Sequence, residues 1–174
     1  MSAPLPTCVV LLRGINVGRN NRLPMHVLTR SLQDAGCTDV RTYLQSGQAV
    51  VRADPDGLED RVRAALPLDA AVLVRSGLEL AEVVARNPFP DRTSEPKRLH
   101  VAFLSREPDP ADVAALGQRH GADRMVADGR ELYVSYGGGS QESTLTGPLV
   151  DRRLKVVSTW RNWTTVSKLA ELSG

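Results

Sequence analysis

Apolar runs and turn residues follow the same order twice along this chain, and that repetition constrains the fold more than any other feature. The first half reads strand 7–13, helix 24–35, strand 39–45, strand 48–52, helix 57–66, strand 71–75 and helix 78–86. The second reads strand 98–104, helix 110–119, strand 124–127, strand 131–135, helix 145–154, strand 156–160 and helix 163–172. Spacings such as Val27, Leu28, Leu32 and Val113, Leu116 put apolar side chains on one helical face. Short β-branched runs bounded by turn residues give the strands. Each half sets an X-Gly pair, Ser46-Gly47 and Asp128-Gly129, between its second and third strands, where a tight hairpin demands positive φ. The expectation is an α+β fold of two ferredoxin-like repeats, each β-α-β-β-α-β plus a helix, with mainly antiparallel sheets. Residues 1–88 form the first repeat and residues 98–174 the second. The Pro-rich joint between them, residues 89–97, reads equally well as a surface loop within one continuous domain.

The halves differ in one place. Between its first strand and first helix the first half carries "GINVGRNNRL", where the second has only "SREPD". Connections of this kind usually run about 2–6 residues. The first is longer than the architecture requires, and long loops on rigid scaffolds often carry function.

Charge points to the same segment. The net charge of +2 is too small to announce a nucleic-acid partner, but no acidic residue precedes Asp34, while Arg13, Arg19, Arg22 and Arg30 all do. With 41% apolar and 24% charged residues the composition is that of a soluble folded chain. No apolar run approaches the roughly 18 residues of a membrane span, and the N-terminus lacks a signal-peptide pattern. The expected compartment is the cytoplasm, with no membrane partner. Cys8 and Cys37 have neither metal nor redox spacing and are expected to behave as small hydrophobes.

The long loop has the ingredients of an anion site. A helix N-terminus offers free N–H groups and the positive end of its dipole. Gly14 and Gly18 permit close backbone approach, Arg13, Arg19 and Arg22 supply charge-assisted donors, and Asn16, Asn20 and Asn21 supply amide donors and acceptors. Neither the Walker pattern nor the dinucleotide fingerprint is present, so plain turn architecture stands beside anion binding as a reading. In the expected topology the hairpin "YLQSGQ", with Gln45, Ser46 and Gln48 at its tip, lies at the same end of the sheet as this loop. Such convergence is what a site needs.

Elsewhere the signals are thinner. In "STWRNWTTVSKL", Arg161 between two tryptophans offers a stacking surface, whereas Asn162 and Trp163 read as a helix cap and first turn. "YGGGSQESTLTGP" is a Gly-rich connector in which Ser143 or Thr144 caps the following helix. Ser46 does not sit in a nucleophile elbow, and His26, His100 and His120 are scattered, so no metal site or cofactor is expected. The strands "CVVLL" and "AVV" lack the aromatics of RNA-binding sheets.

Together "LLRGINVG", "RTYLQSG", "NPFP", "KRLHVAFL" and "TWRNWTTVSKL" resemble the bacterial domain-of-unknown-function 1697 family over nearly the whole chain. The resemblance implies a compact α+β protein of two ferredoxin-like repeats and supplies no activity. The chain departs from the family pattern at Arg19, usually glycine, and at Gln48, usually asparagine.

The functional expectation is a phosphate- or nucleotide-like anion bound by Arg13, Gly14, Asn16, Gly18, Arg19, Asn20, Gln45, Ser46 and Gly47, with Arg161 as a further candidate. The alternatives are an enzyme acting on a phosphorylated or nucleotide substrate, with Ser46 or a loop residue near the chemistry, and a nucleic-acid-associated protein using the basic N-terminal segment.

Overall fold

The computed structural model describes residues 2–174. The elements are, in order, β1 (Thr7–Leu12), α1 (Met25–Asp34), β2 (Thr38–Tyr43), β3 (Gln48–Arg52), α2 (Leu58–Ala65), β4 (Val72–Ser76) and α3 (Gly77–Ala85). After a 3-10 turn at Pro90–Arg92 come β5 (Leu99–Leu104), α4 (Pro110–Arg119), β6 (Arg124–Asp128), β7 (Glu131–Ser135), α5 (Gly147–Leu154), β8 (Ser158–Asn162) and α6 (Trp163–Ser173). The architecture is mixed α/β with two four-stranded antiparallel sheets, of order β2-β3-β1-β4 and β6-β7-β5-β8. The chain divides into two compact units, one running to Glu82 and including Leu169–Gly174, the other Val83–Lys168.

In the first unit, alternation along β1 puts Cys8, Val10 and Leu12 into one core with Ala49 and Val51 of β3, Leu28 and Leu32 of α1, and Leu58 and Val62 of α2. The intervening Val9 and Leu11 are buried as well, with Val50 and Leu73. Burial of both faces is why β1 reads as an unbroken apolar run. At the turn from β4 into α3, Ser76 Oγ accepts from Glu79 N at 3.1 Å while Glu79 Oε2 accepts from Ser76 N at 2.7 Å, a reciprocal capping box. Burial raises the pKa of both thiols, Cys8 and Cys37, as expected of small core residues.

The second unit repeats the pattern within itself. Ala102 and Leu104 of β5 pack with Leu132 and Val134 of β7, Leu116 of α4, and Val150 and Leu154 of α5. Tyr133, on the other face of β7, donates its hydroxyl to Val83 O at 2.7 Å. Two pairs of equivalent backbone bonds show the likeness of the units. Leu12 N donates to Gly47 O at 2.7 Å, and Leu104 N to Arg130 O at 2.8 Å. Arg13 N donates to Ala71 O at 3.0 Å, and Ser105 N to Val157 O at 2.8 Å.

Some element ends differ from expectation. β2 stops at Tyr43 because Leu44 turns left-handed at φ 57°. β8 begins at Ser158, two residues beyond the expected start, after a left-handed Lys155 at φ 56°. Asn162 caps α6 as expected, accepting from Thr165 N at 3.0 Å. Ser143 and Thr144 do not cap α5. Thr146 holds the N-cap position, and Ser143 Oγ instead accepts from Leu145 N at 3.0 Å and donates to Asp123 at 2.6 Å.

Candidate functional site

The connection from β1 to α1 is a compact loop built by asparagines. Gly14, Asn16, Gly18 and Asn21 all have positive φ, at 71°, 54°, 60° and 49°. Asparagine tolerates that region better than other side-chain-bearing residues, and glycine adopts it freely. Asn16 N donates to Asn21 O at 2.9 Å, Asn20 N to Val17 O at 3.2 Å, and Asn21 Nδ2 to Gly14 O at 3.1 Å. Residues 16–21 therefore fold back as a miniature hairpin before Pro24 opens α1.

Asn16 is the clamp. Its Nδ2 donates to Leu23 O at 2.9 Å and to Gln45 O at 2.8 Å, and its Oδ1 accepts from Leu23 N at 2.8 Å. One amide thus closes the loop and joins it to the tip of the β2–β3 hairpin. Beneath the clamp, Ile15 is buried against Gly47, where a Cβ would lie 2.7 Å from Ile15 Cδ1 and 3.1 Å from Leu12 Cβ. Gly47 also sits at φ 90°, so its lack of a side chain serves both the turn and the contact. The hairpin tip is held from within as well. Gln48 is buried, donates from Nε2 to Tyr43 O, and lies with that nitrogen 2.9 Å and its Oε1 3.1 Å from Ser46 Oγ.

The structure therefore brings the two expected segments to one end of the first unit. Gly14, Gly18, Arg19, Asn20, Gln45 and Ser46 are exposed there, and Arg13 is half-buried at the end of β1. Arg19 is not left-handed, so arginine at that position carries no left-handed strain. Arg22, also exposed, joins the same surface. Among the described residues, Arg19 and Arg22 make no ion pair and no side-chain hydrogen bond. Asn16, expected as a ligand contact, has its amide engaged in holding the scaffold, as has Gln48.

Arg161 lies elsewhere, in β8 of the second unit. It is buried, with Nη1 donating to Thr159 Oγ1 at 2.7 Å and to Trp160 O at 2.8 Å, and burial lowers its pKa to about 10. Trp163 is buried too, and Trp160 donates from Nε1 to Ser158 Oγ at 2.9 Å. The three side chains do not form an open stacking surface. Arg75 takes the corresponding place in β4 and is likewise buried. Sequence reading missed Arg75, because an arginine in a strand gives no sign of burial. It also missed the exposed apolar pair at the loop end, Val17 and Leu44.

Two clefts offer a contrast. One, of about 370 Å³, lies at the Thr7 end of β1, opposite the loop, and is lined by Asp39, Arg41, Arg52 and Leu172. Its cations are engaged: Arg41 donates to Leu172 O at 2.9 Å, and Arg52 donates to Leu5 O at 3.0 Å and lies 3.8 Å from Asp39. The other, of about 290 Å³, sits in the second unit between the end of α4 and the Gly-rich connector. There Thr144 Oγ1 and His120 Nδ1 are 3.2 Å apart, and Glu142, Asp123 and Arg119 give the lining charges of both signs. Arg41 and Arg52 are thus engaged, and Arg119, exposed and without a partner among the described residues, stands among the carboxylates of the second cleft, whereas Arg19 and Arg22 share a segment with no acidic residue. Among the described residues no group of three or more His, Cys, Asp or Glu is placed to hold a metal ion, and no helix is long and apolar enough to cross a membrane.

Fold and site together define a two-unit α/β protein whose first unit carries an asparagine-clamped, arginine-bearing loop. Residues 5–133 match the family described as "Protein of unknown function (DUF1697)", and the chain belongs to that family. Among solved structures it is similar to the conserved bacterial protein SP0830 from Streptococcus pneumoniae, at 18% identity and a TM-score of 0.76, over 98% of this chain and 99% of that one. At that identity the likeness concerns the fold. No curated protein matches.

Proposed function

We propose that this is a cytoplasmic binding protein for a phosphate-bearing or nucleotide-like anion, held at the clamped end of the first unit. The observation that carries the reading is the pair of exposed, unpartnered guanidinium groups, Arg19 and Arg22, on a loop fixed by the Asn16 bonds, with no acidic residue before Asp34. The backbone N–H groups of a clamped loop lose little freedom when an anion arrives, which is the advantage of preorganisation, and the guanidinium groups add charge-assisted donors. Arg13, at the base of the loop, adds positive potential. Gly14 and Gly18 leave the backbone open to the ligand, and Asn20, Gln45 and Ser46 supply neutral polar contacts around it. Gly47 and Asn16 hold the two segments together. Arg161 has a structural part in this reading. The same proposal takes the two units as ferredoxin-like repeats, of which only the first elaborated its loop.

A thermal-shift series with inorganic phosphate and nucleotides tests the proposal on wild type and the double variant Arg19→Ala/Arg22→Ala. A ligand at about a hundred times its Kd adds roughly 2.7 kcal/mol to the apparent stability. The wild type should shift and the double variant should not, while both melt alike without ligand, because neither arginine supports the fold. Equal shifts in both proteins, or none in either, would refute the assignment.

A further inference from the structure

The loop end carries more than charge. Val17 is 66% exposed and Leu44 is 55% exposed. Each is the sequence neighbour of a residue in the bond that clamps loop to hairpin, Asn16 Nδ2 to Gln45 O, so both lie at the same end of the unit. Leu44 also has φ 57°, a conformation unfavourable for leucine, which brings an apolar side chain to the surface at a cost to the fold. Around the pair stand Arg19 and Arg22, with the exposed polar side chains of Asn20, Gln45 and Ser46.

We propose that this surface docks on duplex DNA through the minor groove, with Val17 and Leu44 touching the groove walls and base steps and Arg19 and Arg22 on the phosphates and groove floor. The inference rests on the anion-binding reading and names the polymer that bears the phosphates. Four features of the surface select this partner. Enclosed sites bury most of a small ligand, whereas these residues are exposed, as contact with an extended polymer requires. Single strands are gripped by aromatic stacking, yet the tip displays aliphatic residues and its neighbour Tyr43 is half-buried. Protein–protein hot spots favour Trp, Tyr and Arg and disfavour Val, Leu and Ser, so this surface shares only its arginines with them. Minor-groove binders pair arginine with aliphatic wedges such as leucine, and the negative potential of a narrow A·T groove complements a loop whose own residues, 14–23, include two arginines and no carboxylate.

Fluorescence anisotropy with a labelled A·T-rich 20-base-pair duplex tests this on the full chain. Parallel arms use a G·C-rich duplex, a single strand, double-stranded RNA and anionic phospholipid vesicles. The A·T duplex should bind best, because the guanine amino group obstructs the minor groove. Log K against log salt should fall with a slope of about −2 or steeper, each phosphate contact contributing about −0.9. Arg19→Ala/Arg22→Ala should flatten the slope by about 2. Val17→Ser/Leu44→Gly should weaken binding about tenfold at unchanged slope, through lost apolar contact alone. Its melting temperature should not fall, because glycine adopts the left-handed conformation at position 44 without strain.

Tighter binding to single strands, RNA or vesicles than to the duplex would overturn the inference. So would duplex binding indifferent to Val17→Ser/Leu44→Gly. A thermal shift with phosphate or nucleotide but no duplex binding would sink this inference and leave the anion reading standing. Neither response would sink both.

Discussion

Removing the Asn16 amide is the sharpest test of how the loop is built. Asn16→Ala deletes three hydrogen bonds, two donated to Leu23 O and Gln45 O and one accepted from Leu23 N. At a net value of about 1 kcal/mol each they amount to roughly 3 kcal/mol. Alanine at φ 54° adds about 1 kcal/mol of left-handed strain, for a total near 4 kcal/mol. Asn16→Gly loses the same bonds without the strain, so it should be roughly 0.5–1 kcal/mol less damaging than alanine. Asn16→Asp keeps the acceptor for Leu23 N but sets a carboxylate oxygen against two carbonyl oxygens, and should destabilise at least as much as glycine. Urea unfolding followed by far-UV circular dichroism is the assay. Circular dichroism reports on the helices and strands of both units, whereas Trp160 and Trp163 both belong to the second. A loss below about 1 kcal/mol for Asn16→Ala would mean that the amide does not organise the loop.

Three further outcomes follow from the same geometry. Gly47→Ala should cost about 2–4 kcal/mol, because its Cβ would sit 2.7 Å from buried Ile15 at φ 90°; unchanged denaturation would contradict the packing of hairpin on loop. Leu44→Asn should stabilise the fold by about 1 kcal/mol by relieving left-handed strain at a site with little burial to lose, and a fall in melting temperature would count against that strain. His100 is packed edge-on to Tyr136 with ring centroids 5.2 Å apart, and burial lowers its pKa from 6.5 to about 4. Between those values the unfolded chain holds the proton and the folded one does not, so stability is full above about pH 6.5 and falls as pH drops towards 4. The loss is roughly 3 kcal/mol at 1.36 kcal/mol per pH unit. His100→Gln should remove that component from an acid titration of stability, and an unaltered profile would show that His100 does not drive it.

The outline of this fold was legible because local signals agreed with the tertiary result. Gly47 and Gly129 sit at hairpin turns with positive φ, at 90° and 58°, and the apolar faces of α1 and α4 follow helical spacing. What was not legible depended on distant partners. Nothing in the leucine at position 44 announces a left-handed residue, so the end of β2 was misplaced by two residues. The start of β8 is set by pairing of Ser158–Asn162 with β5, a register that its own apolar residues do not reveal. Asn16 looked like a ligand contact because an asparagine in a glycine-rich loop has free donors on paper. Its real partner, Gln45 O, is 29 positions away. Arg161 read as a surface cation for a similar reason, since burial of an arginine is decided by the packing around it. The convergence of loop and hairpin, in contrast, followed from strand direction alone, and the structure brings them within hydrogen-bonding distance.

The most direct measurement of the central claim is an amide NMR titration of the uniformly ¹⁵N-labelled full chain with inorganic phosphate and then a nucleotide. If the clamped loop binds the anion, saturable shifts should concentrate at Gly14, Val17–Arg22 and Gln45–Gly47, and should vanish in Arg19→Ala/Arg22→Ala. Saturable shifts centred anywhere else, such as the His120–Thr144 cleft, or no saturable shifts at all, would contradict it.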